Sequence, residues 1–261
     1  MKISIVTPTL NRADYLSECI ESVVNQKYDA VEHVIVDGGS TDGTIELLRS
    51  MTAKYGDRIR WSSQPDRGIS HAVNRGFQMA TGDVIGWIGS DDKLADGSLA
   101  KVAQCFLENP PALWLYGSFF ILDGQGKFMR MKKAEPFNYR KFLRSGYICG
   151  PSVFVRKDFA QKAGPIREDL ECAMDFEWCL RMAAVAEPYK LDEVLAGFRW
   201  HPGCVTMTRR LAQLDEGLKS SLPYAGSLTD RGLLILSNKF YKLRAWAWRL
   251  LWRFQLNASR A

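Results

Sequence analysis

The sequence has 261 residues, of which 46% are hydrophobic, enough for one large α/β domain or a domain with an appendage. It begins with only a short apolar run and nowhere holds about 18 consecutive apolar residues, so we expect neither a signal peptide nor a transmembrane helix. The net charge of +6 lies in residues 231–261, which hold seven cations and no acid, so the nearly neutral body disfavours nucleic-acid binding.

The first 112 residues alternate between two patterns. Short apolar, β-branched runs predict strands, and apolar residues at helical spacing predict helices. Strands are predicted at residues 2–7, 31–37, 58–62 and 83–88, and helices at 14–26, after a cap at Thr41 or Asp42, at 69–80 and at 94–107. This alternation predicts a parallel sheet covered on both faces.

The pattern changes after residue 112. A hairpin is predicted at residues 113–122 and 127–131, a strand at 152–155, a helix at 175–185, and one or two strands within 190–200. This half is expected to add antiparallel strands to the same sheet and to form the second wall of a cleft. We therefore predict one domain over residues 1–230, with halves 1–112 and 113–230, and a basic tail at 231–261.

Six cysteines are scattered along the chain without any CxxC pair. Their spacing fits neither a zinc site nor a compact disulfide scaffold. We interpret them as reduced thiols, most of them small core residues, which is typical of a cytoplasmic protein.

Polar clusters follow the predicted strands at the sheet edge where parallel α/β sheets bind ligands. Residues 9–12 follow the first strand, and Asp37 closes the second within the glycine-rich run 36–44. An acid in this position can accept hydrogen bonds from a nucleobase or a ribose hydroxyl. The alternative is an ordinary strand-to-helix turn with a good cap.

Two adjacent carboxylates, Asp91 and Asp92, follow the strand at residues 83–88. Neighbouring carboxylates repel each other, and a hard divalent cation relieves that repulsion. Mg²⁺ or Mn²⁺ is typically held by one or two carboxylates together with substrate phosphate oxygens. The alternative is that the two acids are N-caps of the helix predicted from residue 94.

A third acidic cluster lies at residues 174–181. Asp175 and Glu177 point about 200° apart on a helix, so only one can face the cleft. Asp175, at the helix start, is the candidate catalytic base, unless it only complements the helix dipole. Glu177 is expected to pair with Arg181 along the surface.

Four further polar residues are candidates for weaker roles. Arg67 could contact a phosphate, or it could belong to an exposed charged turn. Asn74 could brace the loop before the third helix, and His71 is expected to cap or pack locally. His201 follows the last predicted strand and could be an additional metal ligand or a phosphate contact.

Taken in order, these stretches resemble glycosyltransferase family 2, the inverting family with the GT-A fold, in its bacterial polysaccharide and lipopolysaccharide type. The motifs that carry the resemblance are residues 4–12, 36–44, 68–76, 80–83, 90–92 and 175–181. The resemblance implies an α/β fold in which a Rossmann-like nucleotide-binding sheet is extended by a mixed or antiparallel acceptor half. One departure is Met174, where the family often has a glutamate before the catalytic aspartate.

The resemblance also implies roles for single residues. Thr9 and Asp37 would contact the donor base, Arg67 would lie near the base or phosphates, and Asp91 would reach the ribose or sugar. Asp92 would bind the Mn²⁺ or Mg²⁺ that bridges the diphosphate, and Asp175 would be the base. We assign the donor side to Thr9, Asn11, Arg12, Asp37, Arg67 and Asp91, and the metal to Asp92 and His201.

The predicted activity is transfer of a sugar, with inversion, from a nucleotide-sugar donor to a hydroxyl of a saccharide or lipid-linked acceptor in cell-surface polysaccharide biosynthesis. UDP is the favoured donor nucleotide. A sugar-nucleotide nucleotidyltransferase would require a glycine-rich basic loop after the first strand, and residues 8–12 contain no glycine. A dinucleotide oxidoreductase would require a GxGxxG motif at the first helix, which is missing. A non-catalytic nucleotide-sugar-binding protein would not need the three acids Asp91, Asp92 and Asp175.

The tail at residues 238–254 has the pattern of a basic, tryptophan-rich amphipathic helix. One face is predicted to hold Phe240, Leu243, Ala247, Leu250, Leu251 and Phe254, and the opposite face Lys242, Arg249 and Arg253. Such a helix suits an anionic membrane surface, so we predict peripheral attachment to the inner face of the cell membrane. The alternative is packing on the catalytic domain or on a dimer partner.

Overall fold

The computed structural model describes the backbone of residues 1–258 and the side chains of residues 1–247. The strands are β1 (Ile3–Thr9), β2 (Val31–Asp37), β3 (Ile59–Ser63), β4 (Val84–Trp87), β5 (Lys93–Leu94), β6 (Trp114–Leu122), β7 (Phe128–Lys132), β8 (Val153–Arg156) and β9 (Tyr189–Arg199). The helices are α1 (Ala13–Val24), α2 (Thr44–Tyr55), α3 (Ile69–Met79), α4 (Ser98–Glu108), α5 (Tyr139–Ser145), α6 (Lys157–Ala163), α7 (Met174–Ala183), α8 (Val205–Thr208), α9 (Arg210–Ser221) and α10 (Leu228–Ala258).

All of these strands belong to one sheet with the order β3-β2-β1-β4-β8-β6-β9-β5, and β7 pairs with β6. Strands β1 to β4 are mutually parallel, as the alternating pattern of the first 112 residues predicts. Thr9 lies opposite Asp37, and the backbone N–H of Ile88 donates to Val6. The ends of β1, β2 and β4 therefore meet at one edge of the sheet.

The second half extends this sheet in mixed fashion, which confirms the predicted addition of antiparallel strands. β8 runs antiparallel to both β4 and β6, and β6 and β7 form the predicted hairpin. β9 runs parallel to β6, and its final residues leave the sheet beside the acid pair at residues 91–92.

Close packing of α3 on the sheet depends on one glycine. A Cβ at Gly76 would lie 2.2 Å from Cγ1 of Val6 in β1. The missing side chain therefore lets the helix approach the strand that carries the ligand-binding edge.

Two predicted helix starts are wrong. The helix predicted from residue 94 begins at Ser98, because Leu94 pairs with Ala196 in the short strand β5. The interpretation of Asp91 and Asp92 as helix caps is therefore excluded, since α4 starts six residues later.

The start of α2 also differs from the prediction. Its N-cap residue is Gly43, with φ 97°, rather than Thr41 or Asp42. The Asp42 carboxylate instead accepts hydrogen bonds from the backbone N–H groups of Thr44 and Ala13, both at 3.1 Å. This carboxylate ties the first turns of α1 and α2 together.

Helix α10 packs beside α5 and α9. Leu234 is buried, and Lys242 forms an ion pair with Asp215 of α9 at 2.5 Å. On its outer side Leu236, Phe240, Leu243 and Trp246 are exposed. The side chains of Leu250, Leu251, Phe254, Arg249 and Arg253, which belong to the predicted amphipathic pattern, lie outside the described residues. Over the part of the chain that the structure covers, no helix is long and apolar enough to span a bilayer.

Candidate active site

The acid pair directly follows β4, where the chain turns sharply. The N–H of Asp92 donates to the carbonyl of Gly89 at 3.0 Å, and Oδ1 of Asp92 accepts from the backbone N–H of Arg199 at 2.8 Å. Asp92 is only 4% exposed. Its burial, reinforced by the charge of Asp91, raises the pKa of its carboxyl well above the usual range. A cation at this position would favour the ionised form.

A buried arginine holds the acid pair from behind. Nε of Arg199 donates to the carbonyl of Asp91 at 2.7 Å, and its terminal nitrogen forms an ion pair with Glu18 of α1. Lys93 reaches the same glutamate at 2.6 Å. Burial opposes ionisation of Glu18, but hydrogen bonds from Lys93 and Arg199 lower the pKa of its carboxyl below the ordinary value. The sequence analysis missed both Glu18 and Arg199 as site residues.

His201 lies beside Asp91 rather than Asp92. Its Nε2 is 2.9 Å from Oδ2 of Asp91, and its ring packs against Tyr15 with centroids 4.9 Å apart. The first residues beyond β9 thus bring an imidazole to the acid pair, as its sequence position suggested.

The donor atoms at this corner fit a hard divalent cation that also binds phosphate. Oδ2 of Asp91 and Nε2 of His201 share a hydrogen bond, and their spacing is also about the 3 Å between neighbouring ligands of an octahedral Mg²⁺, so a cation bound to both would replace the proton between them. No group of three or more acidic, histidine or cysteine ligands is found among the described residues. An incomplete protein ligand set of this kind is typical of metal ions that are completed by water and substrate phosphates.

The ends of β1 and β2 contain one free hydroxyl and one fully engaged carboxylate. Oγ1 of Thr9 is buried and has no hydrogen-bond partner among the described residues, so its hydrogen-bonding capacity is unused within the protein. Asp37 is completely buried and accepts hydrogen bonds from Gly39, Ser40 and Ser63. These bonds give Asp37 a role in shaping the loop after β2.

The side chains of Asn11 and Arg12 also form hydrogen bonds within the protein. Asn11 has the left-handed φ of 51°, and its Oδ1 accepts from the backbone N–H of Thr41 at 2.8 Å. Arg12 donates to the carbonyl of Gly203 at 3.4 Å, just beyond His201. The first loop therefore connects the turn after β2 with the segment that carries the imidazole.

The loop before α3 presents an acid to the turn after β2. A Cβ at Gly38 would lie 2.8 Å from Oδ2 of Asp66, so this carboxylate rests against the glycine-rich run. The neighbouring Arg67 is exposed and forms an ion pair with Glu168 at 2.6 Å. Asp66 was given no role in the sequence-based prediction, although it directly precedes Arg67 and the motif at residues 68–76.

Asn74 and His71 are both structural in this conformation. Asn74 exchanges two hydrogen bonds with the backbone of Ile166, at 2.8 and 2.9 Å, so it braces a distant loop and not the loop before α3. His71 accepts locally from the backbone N–H of Arg67 at 3.4 Å, as expected.

Asp175 occupies the first turn of α7 and faces the 3₁₀ turn Gly150–Ser152. Its Oδ2 lies 2.9 Å from where a Cβ on Gly150 would be, so glycine leaves room for the carboxylate. Burial raises the pKa of Asp175. Glu177 points elsewhere and pairs with Arg181 at 3.0 Å, but this pair is largely buried instead of lying on the surface as predicted.

Cys149 directly precedes the turn Gly150–Ser152 that Asp175 faces. This turn packs against β4, which precedes the acid pair, and against β9, which carries Arg199, so Asp175 and the acid pair lie in the same region of the molecule. Burial, followed by the charges of Asp92 and Asp175, raises the pKa of the Cys149 thiol well above the usual range. The site therefore combines a buried acid pair with an imidazole on one side and a single carboxylate on the other.

Comparisons with known sequences agree with the motifs. The chain matches the sequence model of the family described as Glycosyl transferase family 2 over residues 4–161. It is 28% identical over 244 residues to a PGL/p-HBAD biosynthesis glycosyltransferase of Mycobacterium bovis, which covers 92% of this chain and 91% of that protein. It is 30% identical over 199 residues to an uncharacterized glycosyltransferase of Mycobacterium tuberculosis, covering 75% and 74% of the two chains.

Solved structures with the same fold include S. aureus TarS and an archaeal mannosyltransferase. TarS 1-349 in complex with UDP-GlcNAc superposes with a TM-score of 0.64 at 18% identity, covering 84% of this chain and 66% of that one. Mannosyltransferase PcManGT from Pyrobaculum calidifontis, in complex with GDP-Man and Mn²⁺, gives 0.64 at 17% identity, covering 94% and 70%. The chain spans only 39% of a longer crystallised TarS chain. These similarities confirm the α/β GT-A fold that the motifs imply.

Proposed function

Because this chain belongs to glycosyl transferase family 2, we propose that it transfers a sugar, with inversion, from a nucleotide-sugar donor to a hydroxyl of a saccharide or lipid-linked acceptor. UDP is the favoured nucleotide. The observation that carries this proposal is that Asp175 faces the turn Gly150–Ser152, which packs against β4 and β9, the two strands that end beside the acid pair. One acid can then serve the departing diphosphate while the other serves the attacking hydroxyl.

We propose that Asp91, Asp92 and His201 hold Mn²⁺ or Mg²⁺, which would neutralise charge on the diphosphate leaving group. The raised pKa of Asp92 and the contact between Asp91 and His201 support this assignment. The Arg199 guanidinium, paired with Glu18 of α1, holds the backbone carbonyl of Asp91 in place.

On the donor side, Thr9 would hydrogen-bond the base or ribose through its unpartnered hydroxyl. Asp37 and Asn11 would act by fixing the loops around the base, since their oxygens already accept bonds from those loops. Arg12 and Arg67 would approach the donor only after exchanging their present partners, Gly203 and Glu168.

Asp175 would accept the proton of the acceptor hydroxyl as its oxygen attacks the anomeric carbon. The carbon–oxygen bond to the diphosphate breaks on the opposite face, so a single displacement inverts the carbon. A carboxylate with a raised pKa is a stronger base than an exposed one, and burial provides that increase here.

The acceptor assignment draws on one relative and on the C-terminal helix. The Mycobacterium bovis relative is named for PGL/p-HBAD biosynthesis. Together with the exposed apolar side chains of α10, this favours a saccharide carried on a lipid. A role in cell-surface polysaccharide assembly is part of the proposal.

A thermal-shift experiment with UDP-, GDP- and dTDP-sugars and Mn²⁺ tests the donor and metal assignments. One donor should stabilise the protein, by about 2.7 kcal/mol at a concentration of 100 times its Kd. Asp92→Asn should fold, because the site already favours a neutral side chain, but it should lose the Mn²⁺-dependent part of the shift. Asp96→Asn, an exposed acid in the same segment, is the matched control. If no donor stabilises the protein and Asp92→Asn behaves like wild type, the metal and donor proposal fails.

We also propose that α10 attaches the enzyme to the inner face of the cell membrane. Phe240 and Leu243 are 57% and 67% exposed on its outer side, one turn apart. Phe240→Ser with Leu243→Ser should weaken sedimentation with anionic vesicles, whereas Leu107→Ser, an exposed leucine on α4, should not. Equal binding of all three proteins would remove the membrane proposal.

A further inference from the structure

Two neighbouring cavities open between α5 and α10, away from the acid pair. The first has a volume of about 200 Å³ and is lined by Tyr139, Arg140, Arg144 and Asp230, among others. The second has about 410 Å³ and is lined by Lys141, Arg144, Ser237 and Tyr241, among others. Arg144 lines both, so the two cavities form one groove between the helices. Residues 139–145 and 228–241, which carry this lining, belong to none of the family motifs.

The groove has an excess of positive charge that the protein does not neutralise. Lys141 is paired with Glu135. Asp230, the one acid among the lining residues, accepts a hydrogen bond from Ser227 at 2.9 Å and keeps its charge, so the two cations of Arg140 and Arg144 exceed it by one. Arg140 and Arg144 make no ion pair with any side chain of residues 1–247, and both are exposed. Nε of Arg144 donates to the carbonyl of Arg140 at 3.2 Å. Two guanidinium groups that share a groove and have no ion-pair partner among the described residues are a typical site for a phosphate group.

Hydroxyl groups line the same groove and add neutral hydrogen-bond donors. Ser237 and Tyr241, one turn apart on α10, line the second cavity, and Tyr139 of α5 lines the first. Tyrosine is suited to a membrane interface because its ring is apolar and its hydroxyl polar. The groove can therefore hold a phosphate together with its neighbouring polar headgroup atoms.

The apolar row of α10 runs along one edge of this groove. Leu236 and Phe240 each precede a groove residue, Ser237 or Tyr241, by one position, which is a rotation of about 100° around the helix. Leu236 is 67% exposed. A soluble phosphate would not contact the large exposed apolar side chains beside this groove. The acyl chains of a membrane lipid would bury them.

We propose that the groove between α5 and α10 binds the phosphate headgroup of an anionic membrane phospholipid through Arg140 and Arg144. This inference rests on the proposed membrane attachment and deepens it. The lipid phosphate would sit between the two guanidinium groups while Leu236, Phe240 and Leu243 enter the acyl boundary. The enzyme would then have a fixed orientation on the bilayer and not only a general attraction to it.

The test measures binding of the full chain to vesicles of phosphatidylcholine with and without phosphatidylglycerol. Arg140→Gln with Arg144→Gln should bind the anionic vesicles about 30-fold more weakly, given the contribution of each cation near such a surface. The control, Arg49→Gln with Lys162→Gln, removes the same charge from exposed positions on α2 and α6 and should change binding about twofold at most. Equal weakening in both double variants would overturn the site, because only general electrostatics would then act.

Two further measurements separate the possible outcomes. Inorganic phosphate should release the wild type from vesicles no better than chloride at equal ionic strength, and specific release would assign the groove to a soluble phosphate instead. Sugar transfer to a soluble acceptor should be unchanged in the groove variant. If Phe240→Ser with Leu243→Ser abolishes vesicle binding but the groove variant does not, membrane attachment stands and the headgroup site fails. If the wild type does not bind anionic vesicles, both the membrane attachment and the headgroup site are contradicted.

Discussion

Arg199 is 2% exposed at the end of β9, and its guanidinium and backbone contact both members of the acid pair. An arginine is seldom buried this deeply unless its charge is compensated. The compensation comes from Glu18, and the ring of Tyr15 lies 5.0 Å from the guanidinium carbon. Arg199 is therefore a positioning residue: its guanidinium fixes the backbone of Asp91, and its backbone N–H fixes the carboxylate of Asp92.

Arg199→Ala should weaken binding of the donor with its metal more than it lowers kcat. It should also lower the free energy of unfolding by about 2–4 kcal/mol, which is less than for a fully buried pair because Glu18 is 44% exposed. Arg199→Lys should restore part of the donor affinity, since it keeps a charge near Glu18. Steady-state kinetics and urea unfolding of both variants measure these effects. A loss of stability with unchanged donor KM would mean that the residue is only structural.

Asp175→Asn should reduce kcat by about 10²- to 10⁴-fold with little change in donor KM, because the proton acceptor is lost while the donor side is intact. In the wild type, activity requires the ionised carboxylate. Since burial raises its pKa, the acid limb of the pH–rate profile should lie above the ordinary value of 3.8. Asp158→Asn, in the first turn of α6, is the matched control. Comparable activity of Asp175→Asn and the control would contradict the assignment.

Local motifs identify the site acids because Asp91, Asp92 and Asp175 each stand at the end or start of a predicted element. The network behind them is not local, since Arg199 and Glu18 are 181 residues apart in sequence. Only the finished sheet brings β9 beside α1. Sequence patterns alone could not find this pair, although Arg199 adjoins the run that drew attention to His201.

At the scale of whole elements, the long periodic segments were predictable and the short ones were not. β1, β2 and the β6–β7 hairpin agree with their predicted ranges because each has a strong apolar pattern. β5 has two residues and exists only because β9 pairs with it, so no periodicity signals it. The short helix α5, with its Arg-Lys-Arg face, was also not predicted, although it lines the proposed headgroup groove.

Packing between α3 and β1 gives a test at this scale. Gly76→Ala should destabilise the protein by about 1–3 kcal/mol, because the new methyl group would overlap Val6 and the helix would have to move. Gly232→Ala in α10 should be neutral or stabilising by about 0.5–1 kcal/mol, since no atom lies within 4 Å of the added Cβ. Urea unfolding measures both. Equal changes in the free energy of unfolding would mean that helix propensity, and not the close approach of α3 to β1, determines the effect of replacing Gly76.

At the scale of the whole molecule, the candidate catalytic residues and the net positive charge lie in different parts of the chain. Residues 1–230 are nearly neutral and hold the acid pair, the candidate base and the sheet, while the excess cations follow in residues 231–261. A neutral body suits a site that must bind an anionic donor through a metal and specific contacts. A basic helix packed against that body suits orientation at an anionic surface.

Acid should unfold the protein through two buried groups in β2. Burial lowers the pKa of His33 to about 3, whereas its ordinary value is 6.5. Below pH 6.5 this imidazole is therefore protonated in the unfolded chain but stays neutral in the folded chain. Stability should therefore fall by about 1.4 kcal/mol per pH unit from this group alone as the pH drops below 6.5.

The second group in β2, Glu32, adds to the loss only at lower pH. Hydrogen bonds from Lys2, Ser4 and Thr81 outweigh its burial and lower its pKa to about 2, so its contribution disappears below 4.5. Between pH 6.5 and 4.5 the raised pKa values of Asp92 and Asp175 oppose the contribution of His33, so the comparison of two proteins isolates the imidazole: His33→Asn should remove about 1.4 kcal/mol per pH unit from the fall in stability. Urea unfolding at several pH values measures the difference between the two proteins, with His71→Asn as the control. A parallel pH dependence in wild type and His33→Asn would show that this buried imidazole does not govern acid stability.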